Sequence, residues 1–475
     1  MAGNFGPDQS GGRVAMVAAF GASSVANYAF SLLMGRLLLP GDFGQLAFVQ
    51  TLLLIAGLVL ESGVPWALAR VLVDAGPAQR RRLIRGAAVS NLGIGLLMAL
   101  ALVGLFLLGP LARGLESWNV TLLAALSLPL IAVVGVLRGA AQGSEAFTAL
   151  ALISASEVVG KAVVGTLLVV LGLGIAGAVG GFVAGALLSV GLGALTLGRR
   201  GLLSWRGKVE HLPRRSTAPM FGALLGGALL LNLDLMLLKV LPGGGRTVTG
   251  QYQAASVLAN APYFLASSVV VPLAFTQFSR AGRLANTREA LRGVIRQAAL
   301  FVVPLLLLLI VVARPLLRLL FPASYGNAVE LLQVRSVGIG LLVLATLLSS
   351  AFQATGAAGR ASYLLFWAVA TEAVLLVLLV PRLGALGAAL AFAVAALTAC
   401  VLLGRQYVRA GGRALHRPEL AWWAGYFITL LLSGAFCILT LDFGVIVSVL
   451  AALTVYAFLL VLFELRRAPE VSRAA

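Results

Sequence analysis

Ionisable side chains are scarce in the long apolar runs of this chain, and the few that stand there are the ones able to do chemistry. They are Glu61, Glu157, Lys161, Asp234, Arg335 and Glu372, with Asn27 and Asn232 adding uncharged polar groups. A charge at the centre of a bilayer costs at least about 2.5–3.5 kcal/mol on insertion scales, so each of these residues is a functional candidate. Glu157 and Lys161 are four apart in the Glu-before-Lys order, which puts them on one helical face. That spacing reads either as a self-neutralising pair that eases insertion or as a lysine turned towards an anionic ligand. Arg335 carries a planar donor fork that can engage two oxygens of one anion; the bland alternative is a snorkelling arginine near a membrane surface. Glu372 either pairs with Arg335 or titrates on its own. Asp234, beside Asn232 and backbone carbonyls, can bind Na⁺ or take up a proton, or it can be hydrogen-bonded between helices. Arg36 and Arg70 end the first two apolar spans.

Several chemistries are excluded. No Walker-type phosphate loop is present, so ATP is not the direct energy source. The two cysteines, Cys400 and Cys437, lie in apolar runs and form neither a disulfide framework nor a metal-ligand spacing. His211 and His416 both lie in basic loops, and the carboxylates Asp42, Glu116 and Asp442 are isolated in short loops. A membrane glycosyltransferase or polymerase would gather such groups on one long loop. The expectation is therefore no catalytic residue, no metal site and no cofactor beyond a coupling ion, Na⁺ or H⁺: not an enzyme.

The elements that must position these residues are membrane helices. The chain has 475 residues, 60% hydrophobic and only 11% charged, where soluble proteins average about 25% charged. Mean hydropathy is +1.03, and lipid must be the solvent. About 20 apolar residues cross the hydrocarbon core as a helix, and division at Gly, Pro and charged punctuation gives about fourteen spans: 14–38, 43–68, 86–108, 119–137, 147–171, 175–197, 217–240, 250–275, 297–313, 328–352, 362–380, 384–404, 420–440 and 443–463. These runs are too long and too uniformly apolar for barrel strands. Pro65, Pro129, Pro262, Pro272 and Pro304 fall inside spans and predict kinks. The glycine-rich run from Gly177 to Gly185 predicts a close-packing face. The net charge of +19 is an orientation signal and calls for no nucleic acid. With the N-terminus cytoplasmic, roughly 26 of the 35 Lys and Arg residues fall on the inner side, Arg70 and Arg138 among them, against about 7 outside. Both termini are then cytoplasmic, and Arg36 runs against the bias.

The chain also repeats itself. Phe20-Gly21-Ala22 recurs as Phe221-Gly222-Ala223, Leu39-Pro40 as Leu241-Pro242 and Gly44-Gln45 as Gly250-Gln251. Pro110-Leu111 before Arg113 recurs as Pro315-Leu316 before Arg318, Gln142 as Gln353, Glu157 as Glu372 and Gly177-Ala178 as Gly387-Ala388. The order is kept at a nearly constant offset, and an even number of spans per unit makes the repeats parallel. The fold class expected is an all-α polytopic membrane protein of two six-helix lobes, 1–215 and 216–417, with an extra helix pair and tail at 418–475.

The stretch Asn27, Leu33-Met34-Gly35-Arg36, Leu39-Pro40-Gly41-Asp42-Phe43-Gly44, Glu61-Ser62-Gly63 and Ala69-Arg70 resembles the opening of bacterial polysaccharide flippases of the multidrug/oligosaccharidyl-lipid/polysaccharide exporter superfamily. Asn232-Leu233-Asp234, Gly250-Gln251-Tyr252 with Ala254-Ala255, and Leu386-Gly387-Ala388-Ala389 extend the resemblance through the second half. Ser23, Ser24 and Val25 stand where the lipid II branch has a charged cluster. The resemblance implies alternating-access flipping of undecaprenyl-pyrophosphate-linked oligosaccharide to the outer leaflet of the bacterial inner membrane. Membrane lipids and the polysaccharide polymerase and export machinery are the implied partners. It implies a substrate cavity at Asn27, Arg36, Arg70, Lys161 and Arg335, and a coupling-ion site at Asp234, Asn232 and Glu372. A multidrug extruder and a lipid II flippase of the same superfamily are the alternatives.

Overall fold

The structure, a computed structural model, describes residues 7–109, 112–203, 209–210, 218–282, 284–410, 417–440 and 444–474. His211, His416 and Asp442 lie outside the described residues. Every regular element among the described residues is helical. The helices are α1 (Pro7–Leu37), α2 (Pro40–Ser62), α3 (Val64–Leu72), α4 (Pro77–Leu107), α5 (Ala112–Leu115), α6 (Trp118–Gly143), α7 (Phe147–Leu168), α8 (Gly174–Arg199), α9 (Ala218–Val240), α10 (Arg246–Leu265), α11 (Val271–Ala281), α12 (Arg288–Val311), α13 (Ala313–Leu320), α14 (Ala328–Ala354), α15 (Ala358–Arg409), α16 (Arg417–Leu439) and α17 (Val445–Ala474).

Nine stretches among the described residues are long and apolar enough to cross a membrane. Two of them are helix pairs. The first bends between α7 and α8 at Gly172 and Gly174, both at positive φ, and α15 bends at Gly384, φ +57°. A side chain would be strained in either bend. With α1, α16 and α17, the helices occupy the fourteen spans expected, in the expected order. The second span is broken at Gly63, and Pro65, which lacks an N–H, opens α3. Pro129, Pro262 and Pro304 lie inside helices, and Pro272 opens α11 after a widened turn at Ala266–Val270.

The chain forms two compact units, Met1–Ala254 with Leu376–Ala388, and Ala255–Leu375 with Ala389–Ala475. The first unit has a core in which Leu68, Leu72, Leu83, Ile84, Leu137, Leu150 and Ile153 are buried together. Within the second unit, α16 and α17 pack on α12 through Tyr426, Leu430, Tyr456, Cys437 and Ala452. Two tyrosine hydroxyls clasp this contact. Tyr426 donates to the Ala299 carbonyl at 2.5 Å and Tyr456 to the Leu300 carbonyl at 2.9 Å. Pro304 has no N–H to offer the carbonyl four residues earlier, which is Leu300. Tyr456 thus supplies the donor that the proline withholds. Tyr456→Phe should lower the stability of the purified protein by about 1 kcal/mol in detergent unfolding. In a Pro304→Ala background, where a backbone N–H returns to Leu300, that loss should shrink towards zero.

Candidate functional site: a neutral array of four charges

The first unit draws five polar side chains from four helices into one array. Arg138 of α6 lies between two carboxylates, with Nη1 at 2.8 Å from Glu61 Oε1 of α2 and Nη2 bonded to Glu157 Oε2 of α7. One turn further along α7, Lys161 Nζ donates to Asn27 Oδ1 of α1. The same ammonium sits 5.2 Å from the Phe30 ring centroid and 4.9 Å from that of Phe182, two rings packed edge to face. Two carboxylates and two cations make the array neutral. Glu157 stands about 15 Å along α7 from Phe147. The side chains of Arg138, Glu61 and Glu157 keep 23%, 36% and 24% of their exposure. Charges at such depth face a bundle interior or a water-filled cavity, not lipid.

Close backbone approach makes the array. On α6, a Cβ at Gly135 would stand 2.7 Å from the Leu60 carbonyl oxygen and 3.3 Å from Glu61 Cα, so only glycine lets the end of α2 come this near. Asn91 of α4 pins the same junction, donating to the carbonyls of Leu60 and Ala132 at 2.8 Å each. Behind α7, a Cβ at Gly185 of α8 would lie 2.3 Å from the Glu157 carbonyl oxygen. The glycine-rich run is thus a packing face, as the sequence suggests, and it presses on the backbone of the turn that carries Glu157 and Lys161.

Of the residues singled out in the sequence, Asn27, Glu61, Glu157 and Lys161 meet here. Glu157 makes its ion pair with Arg138, so the spacing of Glu157 and Lys161 does not by itself tell their partners. Arg36 and Arg70 are exposed in the last turns of α1 and α3. Asp234 is fully buried, its Oδ2 accepting from Tyr252 Oη at 2.5 Å, a bond between α9 and α10, and its Oδ1 lying 2.7 Å from the Leu235 N–H. Asn232 donates to the Ala228 carbonyl of its own helix at 2.9 Å. In the second unit Arg335 is 1% exposed and stacks on Phe392, 4.5 Å to the ring centroid, so its head does not snorkel to a surface. Glu372 is fully buried.

Sequence reasoning missed the role of Arg138 because the span was ended at residue 137. The helix continues to Gly143, and Arg138 belongs to its buried flank. It also treated Asp42 and Glu116 as isolated. Arg246 joins them, with Nη2 at 2.9 Å from Asp42 Oδ1 and Nε at 2.8 Å from Glu116 Oε2, while Lys239 Nζ lies 2.5 Å from Glu116 Oε1. Each carboxylate there is held by a cation and neither is placed as an acid–base pair. Beside this network a Cβ at Gly44 would stand 2.6 Å from the Gly250 backbone nitrogen, so two glycines at matching positions of the sequence repeat face each other.

A family model described as "Polysaccharide biosynthesis protein" matches residues 33–330. The chain belongs to that family. No curated protein matches it. Among solved structures, it is similar to the lipid II flippase MurJ in an inward closed conformation, with TM-score 0.72, 14% identity, and 95% of this chain and 98% of that chain covered. It is also similar to an inward-facing multidrug resistance MATE family transporter of the MOP superfamily, with TM-score 0.61, 14% identity, and 83% and 96% covered. A MATE transporter in complex with MaL6 gives TM-score 0.53 at 15% identity, with 84% and 96% covered. At these identities the likeness is one of fold, and it agrees with the polytopic helical architecture expected of the family member. Gly185→Ala should cost about 1–3 kcal/mol in detergent unfolding of the purified protein. Gly191→Ala, on the same helix with no heavy atom within 4 Å of the added Cβ, should leave stability unchanged.

Proposed function

We propose that this polysaccharide biosynthesis protein is a flippase for undecaprenyl-pyrophosphate-linked oligosaccharide, moving it from the inner to the outer leaflet of the bacterial cytoplasmic membrane by alternating access. The observation that carries the reading is Lys161: an ammonium deep in an apolar helix whose hydrogen-bond partner is the neutral Asn27 amide. Such a group keeps its charge available to a phosphoryl oxygen. Membership of a polysaccharide biosynthesis family and the fold shared with MurJ, a flippase for lipid II, support the same substrate class. In this reading both termini are cytoplasmic, and 1–215 and 216–417 act as the moving lobes with 418–475 appended. Asn27 and Lys161 line the cavity and Arg36, Arg70 and Arg335 engage the substrate elsewhere on its path. Asp234, with Asn232 and Glu372, binds the coupling ion, H⁺ or Na⁺. The polysaccharide polymerase and export machinery receive the product.

The test is a leaflet-accessibility assay in sealed proteoliposomes loaded with a fluorescent undecaprenyl-pyrophosphate oligosaccharide and exposed to an external glycosidase. The wild-type protein should bring the inner-leaflet pool to the enzyme. Lys161→Ala protein that is folded should lose roughly tenfold or more of the rate, equivalent to about 1.4 kcal/mol in the barrier. Movement of lipid II but not of the oligosaccharide, or extrusion of organic cations alone, would overturn the substrate assignment.

A further inference from the structure

Arginines open α4 and close α8, and one tertiary contact makes a single patch of them. They are Arg80, Arg81, Arg82 and Arg85 on α4, with Arg199 and Arg200 at the end of α8. Arg81 Nε donates to the Gly201 carbonyl at 2.7 Å, across 120 residues of sequence. The turn that closes α8 presents this carbonyl. Gly201, at φ +67°, donates its N–H to the Gly198 carbonyl at 2.8 Å, and Leu202 donates to the Leu197 carbonyl at 3.1 Å. A Cβ at Gly201 would stand 3.3 Å from Arg81 Nη2 on a left-handed backbone, so glycine suits both the turn and the contact. Both helices belong to stretches long and apolar enough to cross a membrane, and the patch lies at their ends, at the level of lipid headgroups.

Arg81, Arg82, Arg199 and Arg200 are exposed, and little in the chain offsets them. Glu210 lies 4.0 Å from Arg82 Nε and accepts from Gln79 Nε2 at 2.9 Å. Arg80 turns its Nε back to the Ala75 carbonyl at 2.9 Å. Arg199 and Arg200 meet no carboxylate among the described residues. An orientation bias asks only for cations on one side of the membrane. It does not ask that they be drawn together, which costs repulsion. Their place on α4 adds to that cost. A helix N-terminus carries partial positive charge and favours an anion, yet the first turn of α4 holds no acidic residue and arginines follow it directly.

We infer that the junction of α4 and α8 binds the headgroup of an anionic phospholipid of the phosphatidylglycerol class, through Arg81, Arg82, Arg199 and Arg200. A guanidinium fork matches the two unesterified oxygens of a phosphodiester. The helix faces below the arginines fit the acyl chains. Val89, seven residues after Arg82, is 60% exposed, and Leu195, four residues before Arg199, is 49% exposed. Cations above an apolar flank match a lipid, whereas free phosphate would use the cations alone. A zwitterionic lipid brings its own ammonium to the patch and is disfavoured by the same repulsion. The site concerns a lipid of the surrounding membrane and does not rest on the transport substrate proposed above. A headgroup seated there ties the start of α4 to the end of α8 and so stabilises the first unit.

The experiment is native mass spectrometry of the full-length protein, delipidated in detergent and given phosphatidylglycerol and phosphatidylcholine in equal amounts. Wild-type protein should retain phosphatidylglycerol, and that lipid alone should raise its thermal unfolding midpoint. Arg199→Gln/Arg200→Gln should bind it about tenfold more weakly, with the midpoint of the lipid-free protein unchanged. Adding Arg81→Gln should abolish both retention and stabilisation. Arg314→Gln/Arg318→Gln, which removes two exposed charges from α13 instead, should behave as wild type. Retention unchanged by the Arg199 and Arg200 substitutions, or lost equally in the α13 variant, would overturn the inference. So would displacement of the lipid by inorganic phosphate. Equal retention of the two lipids would also overturn it and leave the patch to an acidic protein segment.

Discussion

A guanidinium held between two carboxylates, deep in a chain that is 60% hydrophobic, is the interaction around which the first unit is arranged. In an apolar bundle, breaking a buried ion pair by removing one partner is strongly destabilising. Three helices must therefore meet within hydrogen-bond distance of one another, and bulky side chains between them would forbid it. Gly135 on α6 and Gly185 on α8 remove that obstacle at the two contacts where Glu61 and Glu157 are carried. The break at Gly63 and Pro65, pinned by Asn91, fixes where α2 stops. Stability and site are here the same geometry, because the glycines that permit close packing are the ones that place the charges.

Much of this architecture is legible in the residues themselves. Runs of about 20 apolar residues leave no alternative to membrane helices, and the repeated segments and the glycine-rich run are visible without a structure. Pairing is not. The Arg138–Glu61 contact joins residues 77 apart, Lys161–Asn27 residues 134 apart and Arg246–Asp42 residues 204 apart. No local pattern encodes such distances. Glu157 and Lys161 show the limit most clearly: their spacing is ideal for a mutual pair, yet Arg138 takes the carboxylate and Asn27 the ammonium. Arg138 was hidden for another reason, since a charge near a span end looks like an orientation signal until the helix is seen to continue past it.

The repeat carries information that neither half gives alone. Glu157 and Glu372 occupy matching positions in the two halves, yet Glu157 keeps 24% of its side-chain exposure within an ion-pair array and Glu372 is fully buried in the second unit. A duplicated plan has thus been put to different uses. Gly44 and Gly250, also matching positions, come into direct backbone contact beside the Asp42–Arg246–Glu116–Lys239 network. That contact and the array are separate features of the first unit, one beside ion pairs that run from the exposed Arg246 to the buried Lys239 and the other made of charges held among apolar helices.

The central claim is that an anionic pyrophosphate is held by Lys161. A cryo-electron microscopy structure of the protein in nanodiscs with the lipid-linked oligosaccharide bound would test it most directly. The account predicts phosphorus density within hydrogen-bond reach of Lys161 Nζ, with the ammonium parted from Asn27. Phosphorus density elsewhere, with Lys161 still on Asn27, would contradict it.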